Sequence, residues 1–180
     1  MALKSKVYKV SLSVSDMDRH HYNTYDFKVA CHPSETEGRM CLRLAAFAVF
    51  ADEKLSFTRG LCATDEPDLW QKDDTGLIER WIDLGWPEEK RIAKACGQAT
   101  EVVVIAYGRN TAPWWQTLAD KTPRFKRLKV MDAGEGVIEA LTALVDSTME
   151  LTATISDATL WMSNGIDTVE IPLLYLKGEA

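Results

Sequence analysis

EPDLWQKDDTGLIERWIDLG, residues 66–85, is the stretch on which the reading of this chain turns. DLWQK at 68–72 and LIERWIDL at 77–84 have the composition of short strands, and DDTG between them is a turn. Side chains alternate along a strand, so Glu79, Trp81 and Asp83 share one face. Ile78, Ile82 and Leu84 share the other, with Arg80 as its polar exception. Glu79 and Asp83 lie roughly 13 Å apart at strand rise, too far to grip one ion. Asp68, on the neighbouring short strand, is the better partner for Asp83.

A carboxylate pair of this kind suits a hard divalent cation. Mg2+ takes oxygen ligands and is commonly held by one or two carboxylates while keeping several waters. In phosphodiester hydrolysis such an ion polarises the phosphoryl oxygen and activates water, and a nearby lysine stabilises the developing charge. The next element supplies lysines. Pro87 fits the first turn of a helix running to about Ala99, with Glu88 and Glu89 favourable at its positive end. Lys90 and Lys94 fall on one face of it, and Arg91 lies about 100° round from Lys90. Ile92, Cys96 and Ala99 mark its buried side. The alternative is plainer: the carboxylates are the exposed face of a strand and the lysines a solvated helix face.

Working outward, residues 5–15 and 22–31 alternate apolar and polar side chains and read as a hairpin, with Asp16, Asp18, His20 and His21 in its turn. SETE at 34–37 has the form of a capping box, Ser34 with Glu37, opening a helix to about Ala51 with Met40, Leu44, Phe47 and Ala48 as its apolar stripe. A strand is expected at 55–63. EVVVIAY at 101–107 is apolar almost throughout, as in a strand covered on both faces. A helix near 111–119, a strand at 127–132, a helix at 134–146 and strands at 149–156 and 158–162 follow, and then an extended tail. Alternating strands and helices in the middle imply an α/β core, and the β-rich ends imply further antiparallel pairing. With no linker or repeat, residues 1–180 read as one domain.

Composition sets outer limits. A chain 46% hydrophobic and 27% charged, with few Pro and Gly, is a folded globular protein rather than a disordered one. The opening MALKSKVYKVSLSV lacks the apolar core of a signal peptide, and no apolar run reaches the length of a membrane helix, so a cytoplasmic protein is expected. The cysteines at 31, 41, 62 and 96 show neither CxxC nor zinc spacing and read as buried thiols. A net charge of −6 argues against broad attraction to nucleic acid, but leaves room for a local basic groove. KTPRFKRLK at 121–129 is the most basic segment and reads as a solvated loop leading into a strand, with a phosphate contact as the alternative. Trp114 and Trp115 read as packing groups, and the histidines have no spaced metal partner.

The run HPSETEGRMCLRLAAFAVFADEKLSFTRGLCATDEPDLWQKDDTGLIERWIDLGWPEEKRIAKACGQATEVVVIAYG, residues 32–108, resembles the YaeQ family of small bacterial proteins. The opening MALKSKVYK fits too, and HPSET, FTRGLC and KAC are distinctive segments. The resemblance implies a variant of the PD-(D/E)xK nuclease core: a helix, three strands, a helix and a fourth strand. Pro67-Asp68 resembles the PD element, Asp83 stands where the second carboxylate belongs, and Glu35 lies where such folds often place another acid. The motif's lysine should be residue 85, and this chain has Gly85. Lys90 or Lys94 is then the expected substitute.

Two functions follow. In the first, the protein is a Mg2+-dependent nuclease or phosphodiesterase. Asp68 and Asp83 hold the metal, Lys90 or Lys94 stabilises the transition state, Glu35 and Arg91 orient groups, and Glu79 lies further along the groove. In the second, a nuclease-like domain without hydrolysis binds nucleic acid or a protein partner.

Overall fold

A computed structural model describes residues 3–180, leaving aside the side chain of Cys62. The fold is mixed α/β. It has two mixed sheets with flanking helices and divides into two compact units, residues 1–51 with 136–172 and residues 52–135 with 173–180.

The first unit is built on the hairpin of β1 (Lys6–Asp16) and β2 (His21–Cys31), eleven residues each and in unbroken antiparallel register. β8 (Thr148–Ser156), β9 (Thr159–Ser163) and β10 (Thr168–Pro172) complete a sheet of order β10-β9-β8-β1-β2. The β-rich ends thus pair as expected, except that β1 and β8 join in parallel. Tyr8, Val10, Leu12 and Val14 alternate inward with Val29, Leu151 and Ile155, and all are buried.

Helix α1 (Glu37–Val49) starts later than the capping-box reading places it. Ser34 is spent in the preceding turn, where its Oγ lies 2.6 Å from His32 Nδ1 and the Glu35 amide donates to His32 O. Thr36 is the cap instead, accepting from the Arg39 amide, and Glu37 accepts from the Tyr8 hydroxyl. α1 meets α4 (Val137–Thr142) at Gly38, where a Cβ would stand 2.2 Å from Ile138 O. α4 starts later than the predicted 134 because Gly134 and Gly136 hold positive φ and keep the segment before it in a turn, and it ends at Thr142 rather than 146.

In the second unit β3 (Leu55–Phe57), β4 (Leu69–Lys72), β5 (Ile78–Leu84), β6 (Ala99–Ala106), β7 (Leu128–Asp132) and β11 (Leu174–Lys177) form a sheet of order β11-β7-β6-β5-β4-β3. β5, β6 and β7 run parallel, joined by α2 (Glu89–Gln98) and α3 (Thr111–Leu118). The expected strand 55–63 stops at Phe57: the Gly60 amide caps onto Thr58 Oγ1, and Gly60 turns to positive φ to begin a 3-10 turn. Trp81, Ile92, Ala95, Val102, Val104, Leu118 and Leu128 make the core, with Trp114 and Trp115 packed against it. The two tryptophans are therefore packing groups, and Trp114 Nε1 donates to Pro87 O.

Candidate functional site

β4 and β5 bring the first two candidate carboxylates together. Leu69 pairs with Ile82, so Asp68 stands one residue beyond, opposite Asp83. The Asp68 amide donates to Ile82 O, and its Oδ2 accepts from the Leu84 amide at 2.8 Å. Both carboxylates are buried, at 6% and 4% exposure.

What reaches them is an arginine. Arg91 donates from Nε to Asp83 Oδ2 and from Nη2 to Oδ1, each at 2.9 Å, the two-point fork that guanidinium and carboxylate geometry favours. Trp81 Nε1 adds a bond to Oδ2 at 3.0 Å. The same guanidinium donates to Thr64 O and Glu66 O, which ties down the loop leading into Pro67-Asp68. The Asp83 hydrogen bonds push Arg91 further above its ordinary pKa against the opposing effect of burial, and the charges of Asp83 and Asp68 add to the rise. Arg91 is thus a permanent cation at the place where a divalent ion would sit.

Helix phase explains why arginine rather than lysine arrives. At 100° per residue, Arg91 lies about 100° from Ile92, on the border of the buried stripe, while Lys90 and Lys94 lie about 160° from it. Both lysines are exposed. Neither reaches back to Asp83. This border position was the sequence signal for Arg91.

The backbone also accounts for residue 85. Gly85 ends β5 at φ +119 with its amide bonded to Ile105 O, a conformation that only glycine adopts at low cost. A lysine there would strain the chain, although a Cβ would meet open space.

The remaining candidates are elsewhere. Glu79 is half-buried near the start of β5 and accepts from Gln71 Nε2 at 3.1 Å, well separated from Asp83 along the strand. Glu35 belongs to the first unit, where Arg43 Nε and Nη2 hold its two oxygens at 2.9 and 3.2 Å. Arg43 Nη2 also donates to Ala30 O, so this pair fastens the start of α1 to the end of β2. Cys31 and Cys41 are buried thiols, and burial pushes Cys41 up to about 12. Cys96 is half-buried.

As placed, Asp68 and Asp83 do not fit a Mg2+ ion. Both Asp83 oxygens face the guanidinium, one Asp68 oxygen faces an amide, and an ion would have to displace Arg91. Among the described residues no three His, Cys, Asp or Glu side chains are grouped to hold a metal. No helix among them is long and apolar enough to cross a membrane.

The basic segment that follows α3 lies beside α2. Arg124 and Lys121 both reach Glu89, the neighbour of Lys90, and Lys126 and Arg127 are exposed beyond them.

A mixed α/β chain with this architecture has known counterparts. The family model described as YaeQ protein matches residues 1–173. Proteins named "Uncharacterized protein YaeQ" from Escherichia coli K12 and Salmonella typhi are each 44% identical to this chain over 174 residues, 96% of both partners. The crystal structure of YaeQ from Xanthomonas axonopodis pv. citri superposes with a TM-score of 0.94 at 40% identity, covering 97% of this chain and 99% of that one. YaeQ from Pseudomonas syringae gives 0.90 at 30% identity, with 97% of each chain covered. This chain belongs to the YaeQ family.

Proposed function

We propose that the protein is a nuclease-like binding domain that does not hydrolyse its partner, and that this partner is nucleic acid. The observation that carries the first half is the Arg91 fork on Asp83. In a PD-(D/E)xK site the second carboxylate serves the metal; here a guanidinium spends the same oxygens and no lysine stands at 85. Supporting the second half, Lys90 and Lys94 are exposed on α2, the helix whose first residue, Glu89, is paired with Lys121 and Arg124. That gives a net acidic chain a local basic surface for phosphate.

The opposing reading, metal-dependent hydrolysis, draws on the way Asp68 and Asp83 face one another across β4 and β5. Cleavage assays on single- and double-stranded DNA and RNA with Mg2+ or Mn2+ separate the two. We expect no cleavage by the wild type, and affinity in gel shifts that is lost in Lys90→Glu, Lys94→Glu. Cleavage by the wild type that Asp83→Ala abolishes would establish the enzyme instead. Affinity indifferent to the lysine changes would turn the search toward a protein partner.

A further inference from the structure

Each sheet has two outer strands, and three of the four are poor templates for another chain. β3 has three residues, β11 has four with an irregular register, and β10 ends in Pro172. Short, bulged or proline-bearing edges are the usual guards against strand addition. β2 has none of them: eleven residues, no proline and no break in its pairing with β1.

Which groups it offers follows from the register. The Lys9 amide donates to Ser147 O beside β8, so odd-numbered residues of β1 point their main-chain groups to β8 and even-numbered ones to β2. Tyr8, Val10 and Leu12 face Val29, Phe27 and Tyr25, which turns the odd residues of β2 inward. The amides and carbonyls of Tyr22, Thr24, Asp26 and Lys28 therefore point away from the sheet, and these four residues are exposed. The Ala30 carbonyl points the same way and accepts from Arg43, which closes the far end of the edge.

The edge is complementary to itself. In an antiparallel pair of two copies with its two-fold axis at Phe27, Asp26 of one copy stands opposite Lys28 of the other, and the reverse. Both residues have outward main-chain groups, so this is the hydrogen-bonded type of pair, each exchanging two ladder bonds. Their side chains meet as opposite charges on the solvent face. On the inner face Phe27 meets its own counterpart, which extends the ring cluster of Phe27 with Tyr25 and Phe47.

We propose that the protein associates through β2 with a second copy of itself, in an isologous pair centred on Phe27 that joins two five-stranded sheets into one. Sedimentation equilibrium over a concentration series, at low and high salt, tests it. The wild type should dimerise reversibly and more weakly as salt screens the exposed charges. Lys28→Glu sets Glu against Asp26 twice and should weaken association about tenfold or more. The swap Asp26→Lys, Lys28→Asp restores opposite charges in the same register and should restore the dimer. Amide exchange identifies the face: protection at Asp26 and Lys28 should rise with concentration, while the Phe27 amide, already bonded to β1, should not change. A wild type monomeric at every concentration overturns the proposal. So does a dimer that ignores Lys28→Glu, a folded swap variant that stays monomeric, or association without protection at 26 and 28.

Discussion

Glu35 in the first unit and Asp83 in the second are both acidic residues that the sequence offers as functional, and each is gripped at two points by an arginine of a nearby helix. Their surroundings differ. Arg43 and Glu35 are almost wholly enclosed, with side-chain exposures of 4% and 2%, whereas Arg91 is 34% exposed over an Asp83 at 5%. Glu35 also lies 3.7 Å from Arg39 Nη1 on α1, so the enclosed pair is part of a small cluster that fixes α1 on β2. Water reaches Arg91. The same chemical pairing is thus sealed in one unit and open to solvent in the other.

Breaking the enclosed pair should have the largest effect. Arg43→Met leaves the buried Glu35 with only the longer contact to Arg39 and should cost about 3 kcal/mol, read from urea denaturation. Glu35→Leu combined with Arg43→Met removes both charges of the pair and should recover part of that loss, since Arg39, 12% exposed, gives up its contact with Glu35. A single variant close to wild type would mean that solvent or Arg39 takes over the role of the guanidinium and that the contrast with Asp83 is unfounded. At the second site, Gly85→Lys supplies the residue that the nuclease motif expects. It should destabilise by about 1–3 kcal/mol because of its backbone conformation, and should confer no cleavage.

Arg91→Met sharpens the contrast from the other side. Its cost should be about 1–2 kcal/mol, less than for an enclosed pair because solvent can take over part of the guanidinium's role. Amides of residues 64–67 should exchange faster once their tether is gone. Calorimetric titration with Mn2+ should detect binding in this variant and none in the wild type. Equal metal binding by both would show that Arg91 does not occupy the cation's place.

Periodicity carried most of the architecture. The β1–β2 hairpin, the apolar β6 and the β4–β5 pair are written in alternating or continuous apolar residues, and strand spacing separates Glu79 from Asp83. The register that sets Asp68 opposite Asp83 includes an irregularity between Gln71 and Lys72 that spacing does not encode. What periodicity does not encode is which sheet a strand joins, and so the parallel union of β1 with β8 is not legible in it. Helix starts were blurred because Ser34 and Thr36 are both capping residues, and only the His32 contact decides between them. At the site, type and spacing favoured Lys90 and Lys94. The phase of α2 relative to Ile92 would have favoured Arg91, but a residue on the border of a helix stripe is legible only once the buried face is known.

Glu101 tests whether exposure grades these pairs continuously. It lies opposite Arg80 on β5 and is bonded by both Arg80 and Lys129, with all three side chains between 21% and 29% exposed. Lys129→Met should therefore cost only about 0.5–1 kcal/mol. Burial acts to raise the Glu101 pKa, but the bonds from Lys129 and Arg80 outweigh it and hold the carboxyl below the usual glutamate range. A carboxylate depressed in the folded state stabilises fully above its unfolded pKa of about 4.3 and loses that contribution as pH falls through the lower folded value. Denaturation midpoints measured downward from pH 5 should thus fall less steeply in Glu101→Gln than in the wild type, while above pH 5 the difference between them should stay constant. Parallel curves through the acid range would show that Glu101 is not held by its two cations, and exposure would then fail as the scale that ranks the three pairs.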